Sequence, residues 1–108
     1  MSVVDVSDKN FDEIEKSDIP VLADFYAEWC APCKGLVPIV EKLSEEFDGQ
    51  IKFAKVNVES APNAAVRYNI ASVPTVILFK NGEAHSKFLG LRHHDDYKEA
   101  IEDILKER

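Results

Sequence analysis

From Val21 to Ala27 the chain reads Val-Leu-Ala-Asp-Phe-Tyr-Ala, a nearly unbroken apolar run without alternation. A strand with one face in water alternates apolar and polar residues, so this run predicts a central strand covered on both faces. Trp29-Cys30-Ala31-Pro32-Cys33 follows, with both of the chain's 2 cysteines. A long helix is expected from Ala31 to Phe47, because Leu36, Val40, Leu43 and Phe47 recur at helical spacing and Asp48-Gly49 ends the pattern. Pro38 lies inside it. Proline removes one backbone donor and crowds the preceding turn, which predicts a kink there and not a break. Strand character returns from Ile51 to Val58, and a crossover through a helix makes this strand parallel to the first, in a right-handed βαβ unit.

The flanking segments complete the sheet. Val3-Val4-Asp5-Val6 reads as a short strand, with Ser7 or Asp8 capping a short helix that carries Phe11 and Ile14, and Pro20 closes the linker to the central strand. Ser60 and Pro62 are expected to open a short helix reaching about Tyr68. Asn69 to Val73 form a loop into the strand Thr75 to Phe79, and Asn81-Gly82 turns that strand into an antiparallel partner from about Ala84 to Leu89. Gly90 releases the chain to a last helix with Tyr97, Ile101, Ile104 and Leu105 on one stripe. The sum is an α/β fold: a three-layer α/β/α sandwich with a mixed central sheet of about five strands and about four helices. A chain of 108 residues suits a single domain spanning 1–108.

Charge and composition exclude several functions. Thirteen Lys and Arg against 20 Asp and Glu give a net charge of -7, which disfavours nucleic-acid phosphates and anionic lipid surfaces as partners. No apolar run approaches the roughly 20 residues that span a bilayer. The start, Met1-Ser2-Val3-Val4-Asp5, lacks the pattern of a secretory signal, so a cytoplasmic location is expected. No glycine-rich phosphate loop is present, and no bound flavin, nicotinamide or metal is expected. His85, His93 and His94 have no ligand spacing that would complete a zinc site with the cysteines.

A disulfide enclosing two residues constrains the unfolded chain little, so the cysteine pair calls for a chemical explanation. If Cys30 caps the long helix, its sulfur faces backbone N–H groups and the positive end of the helix dipole, which favour a thiolate. Pro32 lacks an N–H, leaving the Cys33 amide as the natural donor to that sulfur. Cys33 lies one turn inside the helix. Cys30 is therefore expected to be the more exposed, attacking thiol and Cys33 the shielded, resolving one.

Asp24-Phe25, Ala27-Glu28-Trp29-Cys30, Pro32-Cys33-Lys34, Pro38, Lys55, Val73-Pro74-Thr75 and Phe79-Lys80-Asn81-Gly82 together resemble the thioredoxin family over essentially the whole chain. The resemblance implies reduction of protein disulfides by dithiol–disulfide exchange, an electron-carrier role in redox homeostasis, and recycling by a dedicated thioredoxin reductase. It implies that Asp24 lies buried behind Cys33 and helps move its proton, with Lys55 modulating it, and that Pro74 is a cis proline facing the cysteines. Trp29, Ser72, Val73, Leu89 and Gly90 would then form a modest apolar surface on which an extended substrate peptide pairs with the Val73 main chain. Nothing in the pattern asks for more than a monomer.

Three residues depart from the common pattern: Ala31 stands where Gly is usual, Tyr26 where Trp is frequent, and Gly35 where a larger apolar residue is common. Ala31 and Pro32, between the cysteines, tune helix-end geometry and hence the redox poise. A disulfide oxidase or isomerase of the same fold is thus an alternative, as is a non-catalytic binding module serving as a partner subunit.

Overall fold

In the computed structural model, which describes residues 3–107, the apolar run forms a strand with neighbours on both edges. The strands are β1 (Val3–Val6), β2 (Val21–Tyr26), β3 (Lys52–Asn57), β4 (Thr75–Lys80) and β5 (Glu83–Leu89). They make one five-stranded sheet in the order β1-β3-β2-β4-β5. β3 is parallel to both β1 and β2, whereas β4 is antiparallel to β2 and β5. The sheet is mixed, as expected. Met1 and Ser2, where the reading of the chain's start falls, lie outside the described residues.

The helices are α1 (Asp12–Glu15), α2 (Ala31–Glu46), α3 (Pro62–Arg67) and α4 (His94–Lys106). Successive strand side chains point to opposite faces, and β2 uses both. Val21, Ala23 and Phe25 pack with Phe11, Ile14, Ala61 and Ala64 on the face of α1 and α3. Leu22 packs with Phe53, Val76, Leu36, Val40, Tyr97 and Ile101 on the face of α2 and α4. Burying a leucine or phenylalanine contributes about 1.5–3 kcal/mol, so these two clusters supply most of what holds the layers together.

The element ends differ from the sequence pattern in small ways. α2 runs unbroken past Pro38 and stops at Glu46; Phe47 follows as its C-cap, donating to the Leu43 carbonyl at 2.9 Å. β2 ends at Tyr26 because Ala27 already turns, its carbonyl accepting from the Cys30 amide at 3.2 Å. Asn81 and Gly82 both adopt positive φ, 54° and 80°, as a tight two-residue hairpin turn requires.

The opening of α3 departs further. Ser60 is not its cap; the N-cap position is Ala61, which has no side-chain acceptor, and the Ser60 hydroxyl donates to Asn57 instead. Ser7 caps a 3-10 turn over Asp8–Asn10, accepting from Lys9, and α1 follows after Phe11. Asp8 is thereby freed for a remote task. Its two carboxylate oxygens accept from the Asn63 and Ala64 amides at 3.0 and 3.1 Å, across 55 and 56 residues of sequence. Pro62 has no N–H, so these are the first orphan donors of α3, and a carboxylate at a helix start also suits the dipole.

Replacing Asp8 with Ala removes both acceptors from a helix that has no local cap. The expected cost is about 1–2 kcal/mol, read as a lower denaturation midpoint with an unchanged slope in urea. Amide exchange at Asn63 and Ala64 should quicken before that of β2.

Candidate active site

β2 delivers the chain to the start of α2, and Cys30 takes the N-cap position with extended backbone, φ -92° and ψ 110°. Its Sγ accepts from the Cys33 amide at 3.2 Å. Ala31 and Pro32 form the exposed first turn between them. Cys30 and Cys33 are joined as a disulfide with their Cα atoms 5.3 Å apart, inside the usual range for such a bridge.

The expected difference in exposure is absent in this oxidised form: both cysteines are 3% exposed. The bridge draws the two sulfurs together, and Ala27, Tyr26, Val58 and Val73 pack around them. They differ in what lies behind them. Cys33 borders a small cavity of about 100 Å³ shared with Asp24, Tyr26, Glu28, Lys34 and Lys55, which Cys30 does not line.

Asp24 is 1% exposed, and its Oδ1 is buried without a hydrogen-bond partner. Burial disfavours the charged form and raises its pKa from 3.8 to about 7, against the opposing pull of the Lys55 ammonium. Lys55 stands directly opposite Asp24 on β3, and its Nζ lies 4.7 Å from the centroid of the Tyr26 ring. A carboxyl that exchanges its proton near neutrality therefore sits beside the inner cysteine.

A second loop closes the surface. The Val73–Pro74 peptide bond is cis. The buried Pro74 accepts at its carbonyl from the Gly90 amide at 2.9 Å, and Thr75 donates to the Ser72 carbonyl at 2.7 Å. Val73 lies just outside the ladder, which begins at Thr75. Trp29 is 73% exposed and Leu89 58% exposed, so neither is a core residue, and Ser72 is exposed as well. Gly90 takes a positive φ of 78° where the chain leaves β5.

The sequence reading missed Leu91. A methyl group built at Gly35 would stand 3.3 Å from the Leu91 side chain, so the bare helix surface and the exposed leucine fit one another. Gly35, an unusual choice in the second turn of a helix, was the signal for a close neighbour. Elsewhere, a surface depression of about 660 Å³ lies at the far end of β2 around Asp18, Ile19 and Lys52 and includes neither cysteine. Apart from the cavity of about 100 Å³ bordered by Cys33, the residues flanking the disulfide lie on an open surface, which suits a docked peptide better than an enclosed small molecule.

The histidines lie apart from the cysteines in their contacts. His85 meets Ser86 and Glu107, His94 meets Asp95 and Glu46, and His93 is the N-cap position of α4. Among the described residues no group of three or more His, Cys, Asp or Glu side chains is placed to hold a metal ion. No helix among them is long and apolar enough to cross a membrane.

Comparison with known proteins gives one answer. The family model described as Thioredoxin matches residues 2–103. A thioredoxin of Rickettsia bellii is 45% identical over 97 residues, covering 89% of this chain and 92% of that protein. One from Rickettsia felis is 48% identical over 88 residues, 81% and 84% of the two chains. The chloroplastic thioredoxin M4 of Arabidopsis thaliana is 42% identical over 108 residues, 99% of this chain but 56% of that one.

Burial of Asp24 has a thermodynamic sign. Its folded pKa lies above the unfolded value, so the folded state is penalised once the carboxyl ionises, between pH 3.8 and about 7, and fully above that. Asp24→Asn is expected to stabilise the protein by about 2–4 kcal/mol at pH 8, with the gain shrinking toward zero at pH 4. Denaturation measured across that range checks both size and direction.

Proposed function

The chain belongs to the thioredoxin family and is a protein-disulfide reductase that works by dithiol–disulfide exchange; on that premise we propose how its residues divide the work. The observation that carries the division is the pairing of a helix-capping sulfur with a buried carboxyl whose Oδ1 is unpaired and which shares a cavity with the second cysteine.

Cys30, with its sulfur facing the Cys33 amide and the start of α2, is the nucleophile: both features stabilise its thiolate. The thiolate attacks one sulfur of a substrate disulfide, forming a mixed disulfide and expelling the other sulfur as a thiolate. Asp24 then accepts the Cys33 thiol proton, directly or through water admitted by the cavity between them. The Cys33 thiolate attacks Cys30 Sγ and releases the second substrate thiolate. Two electrons have passed to the substrate, and Cys30 and Cys33 are joined. Lys55 steadies the Asp24 anion formed between turnovers. A dedicated thioredoxin reductase returns the electrons.

Trp29, Ser72, Val73, Leu89 and Gly90 form the contact surface. An extended peptide pairs with the Val73 main chain beside Pro74, and main-chain pairing accepts many sequences. The scheme asks for no more than a monomer. The cytoplasm is its compartment, because thiols are kept reduced there. Electron transport to many protein disulfides is its contribution to redox homeostasis.

With a peptide disulfide as substrate, Cys33→Ser should accumulate the mixed disulfide at Cys30, while Cys30→Ser should form none. Asp24→Asn should slow resolution by about tenfold or more near pH 7 and flatten its pH profile; an unchanged profile removes Asp24 from the proton transfer. The reduction potential of the pair should lie near the strongly reducing value of about -270 mV typical of thioredoxins. An oxidising value would assign Ala31-containing sites to disulfide formation instead.

A further inference from the structure

One face of the sheet carries a row of charge that the scheme above uses only in part. Asp5 on β1, Lys55 on β3 and Asp24 on β2 stand side by side, since Asp5 pairs with Lys55 and Lys55 with Asp24 in the strand registers. Directly opposed residues of neighbouring strands point to the same face, so all three side chains rise on the α2 side of the sheet. The row ends at Val76 on β4, opposite Asp24. One cation thus stands between two carboxylates, one dry and one exposed.

Lys55 borders two cavities. The smaller, about 100 Å³, holds Asp24 and Cys33; the other, about 360 Å³, is lined by Asp5, Lys9, Asn57 and Ser60. The Tyr26 ring lines both. Among the described residues the Lys55 ammonium makes no ion pair within 4.0 Å and rests over that ring at 4.7 Å. A cation held on an aromatic face keeps its charge without committing to either acid.

We propose that Asp5 is a positioning residue for the redox site: it competes with Asp24 for the Lys55 ammonium held on the Tyr26 ring, and so sets the pH at which Asp24 takes up the Cys33 proton. Asp5 draws the cation outward. Its own charge, about 10 Å from Asp24 across two strand spacings, acts in the same direction by disfavouring a second anion. Both effects favour protonated Asp24, so removal of Asp5 has one sign. The other groups facing Asp24 are Cys33 and Lys34 of α2, Glu28 before it, Tyr26 of its own strand and Tyr97 of α4; Lys9 faces the Asp5 side. All are retained in the test.

The inference rests on the reading of Asp24 as the acceptor of the Cys33 proton, and a direct titration separates the two. In the reduced protein, the Asp24 carboxyl carbon is followed by NMR against pH. Asp5→Asn, or Asp5→Ser as a second neutral replacement, is expected to lower the Asp24 midpoint by about 0.5 pH unit. Asp18→Asn, an equal change of net charge at the far end of β2, should leave it in place. In a Lys55→Met background the Asp5 effect should fall by at least half. An unmoved or raised midpoint overturns the inference, as does an equal shift from Asp18→Asn or an undiminished effect without Lys55. Failure of Asp24 as the base would appear elsewhere, in resolution kinetics that ignore Asp24→Asn.

Discussion

β2 is hydrogen-bonded along both edges and covered on both faces, and most of the site's properties descend from that confinement. A strand so placed has little freedom to relieve a misfit, and its side chains are largely withdrawn from bulk water. Asp24 sits at its fourth position, 1% exposed with one oxygen unpaired. In water this carboxyl would be ionised at neutral pH. Here desolvation outweighs the neighbouring cation, and the proton is held to about pH 7. The cost is a less stable fold above neutrality, a common price where a functional group must keep an unfavourable charge state.

The same strand aims the chain at the cysteines. It ends at Tyr26, turns at Ala27 and hands Cys30 to the N-cap of α2, where one amide reaches the sulfur. A sulfur in that position is polarised by the helix start. The two cysteines are equally buried in the disulfide form, so their division of labour in the proposed scheme rests on surroundings: a helix end for one, the Asp24 cavity for the other. The substrate side of the proposed scheme is made by separate loops, with Gly90 after β5 bonded to Pro74 before β4. Holding two loops by one main-chain bond lets the contact surface remain open while its backbone stays ordered.

Much of this was legible in the chain. Apolar runs, helical stripes and turn residues located the five strands, α2 and α3 to within a residue or two, because burial leaves its mark on each element whatever the wider topology. The first helix, by contrast, starts at Asp12, later than its Ser7 or Asp8 cap implied, and leaves Phe11 outside it. Asn81-Gly82 announced its hairpin, since few residues tolerate the positive φ found at both positions. The cap of α3 was not legible. Ser60 looked like the local candidate, but the acceptor is Asp8, brought from the other end of the chain by the packing of the first turn against α3. Leu91 was likewise invisible until its contact with the bare Gly35 surface placed it beside the site.

The amino-acid sequence by itself determined the elements, their order and the sulfur chemistry, because each follows from spacing over a few residues: the apolar run, the helical stripe, two cysteines a turn apart. Only the tertiary structure decided the environment. That Asp24 holds its proton to about pH 7, that Lys55 rests on Tyr26, and that Asp5 shares its row are consequences of strands far apart in sequence lying side by side. Electrostatic energy depends on distance and on exclusion of water, and neither is a property of a local stretch of chain.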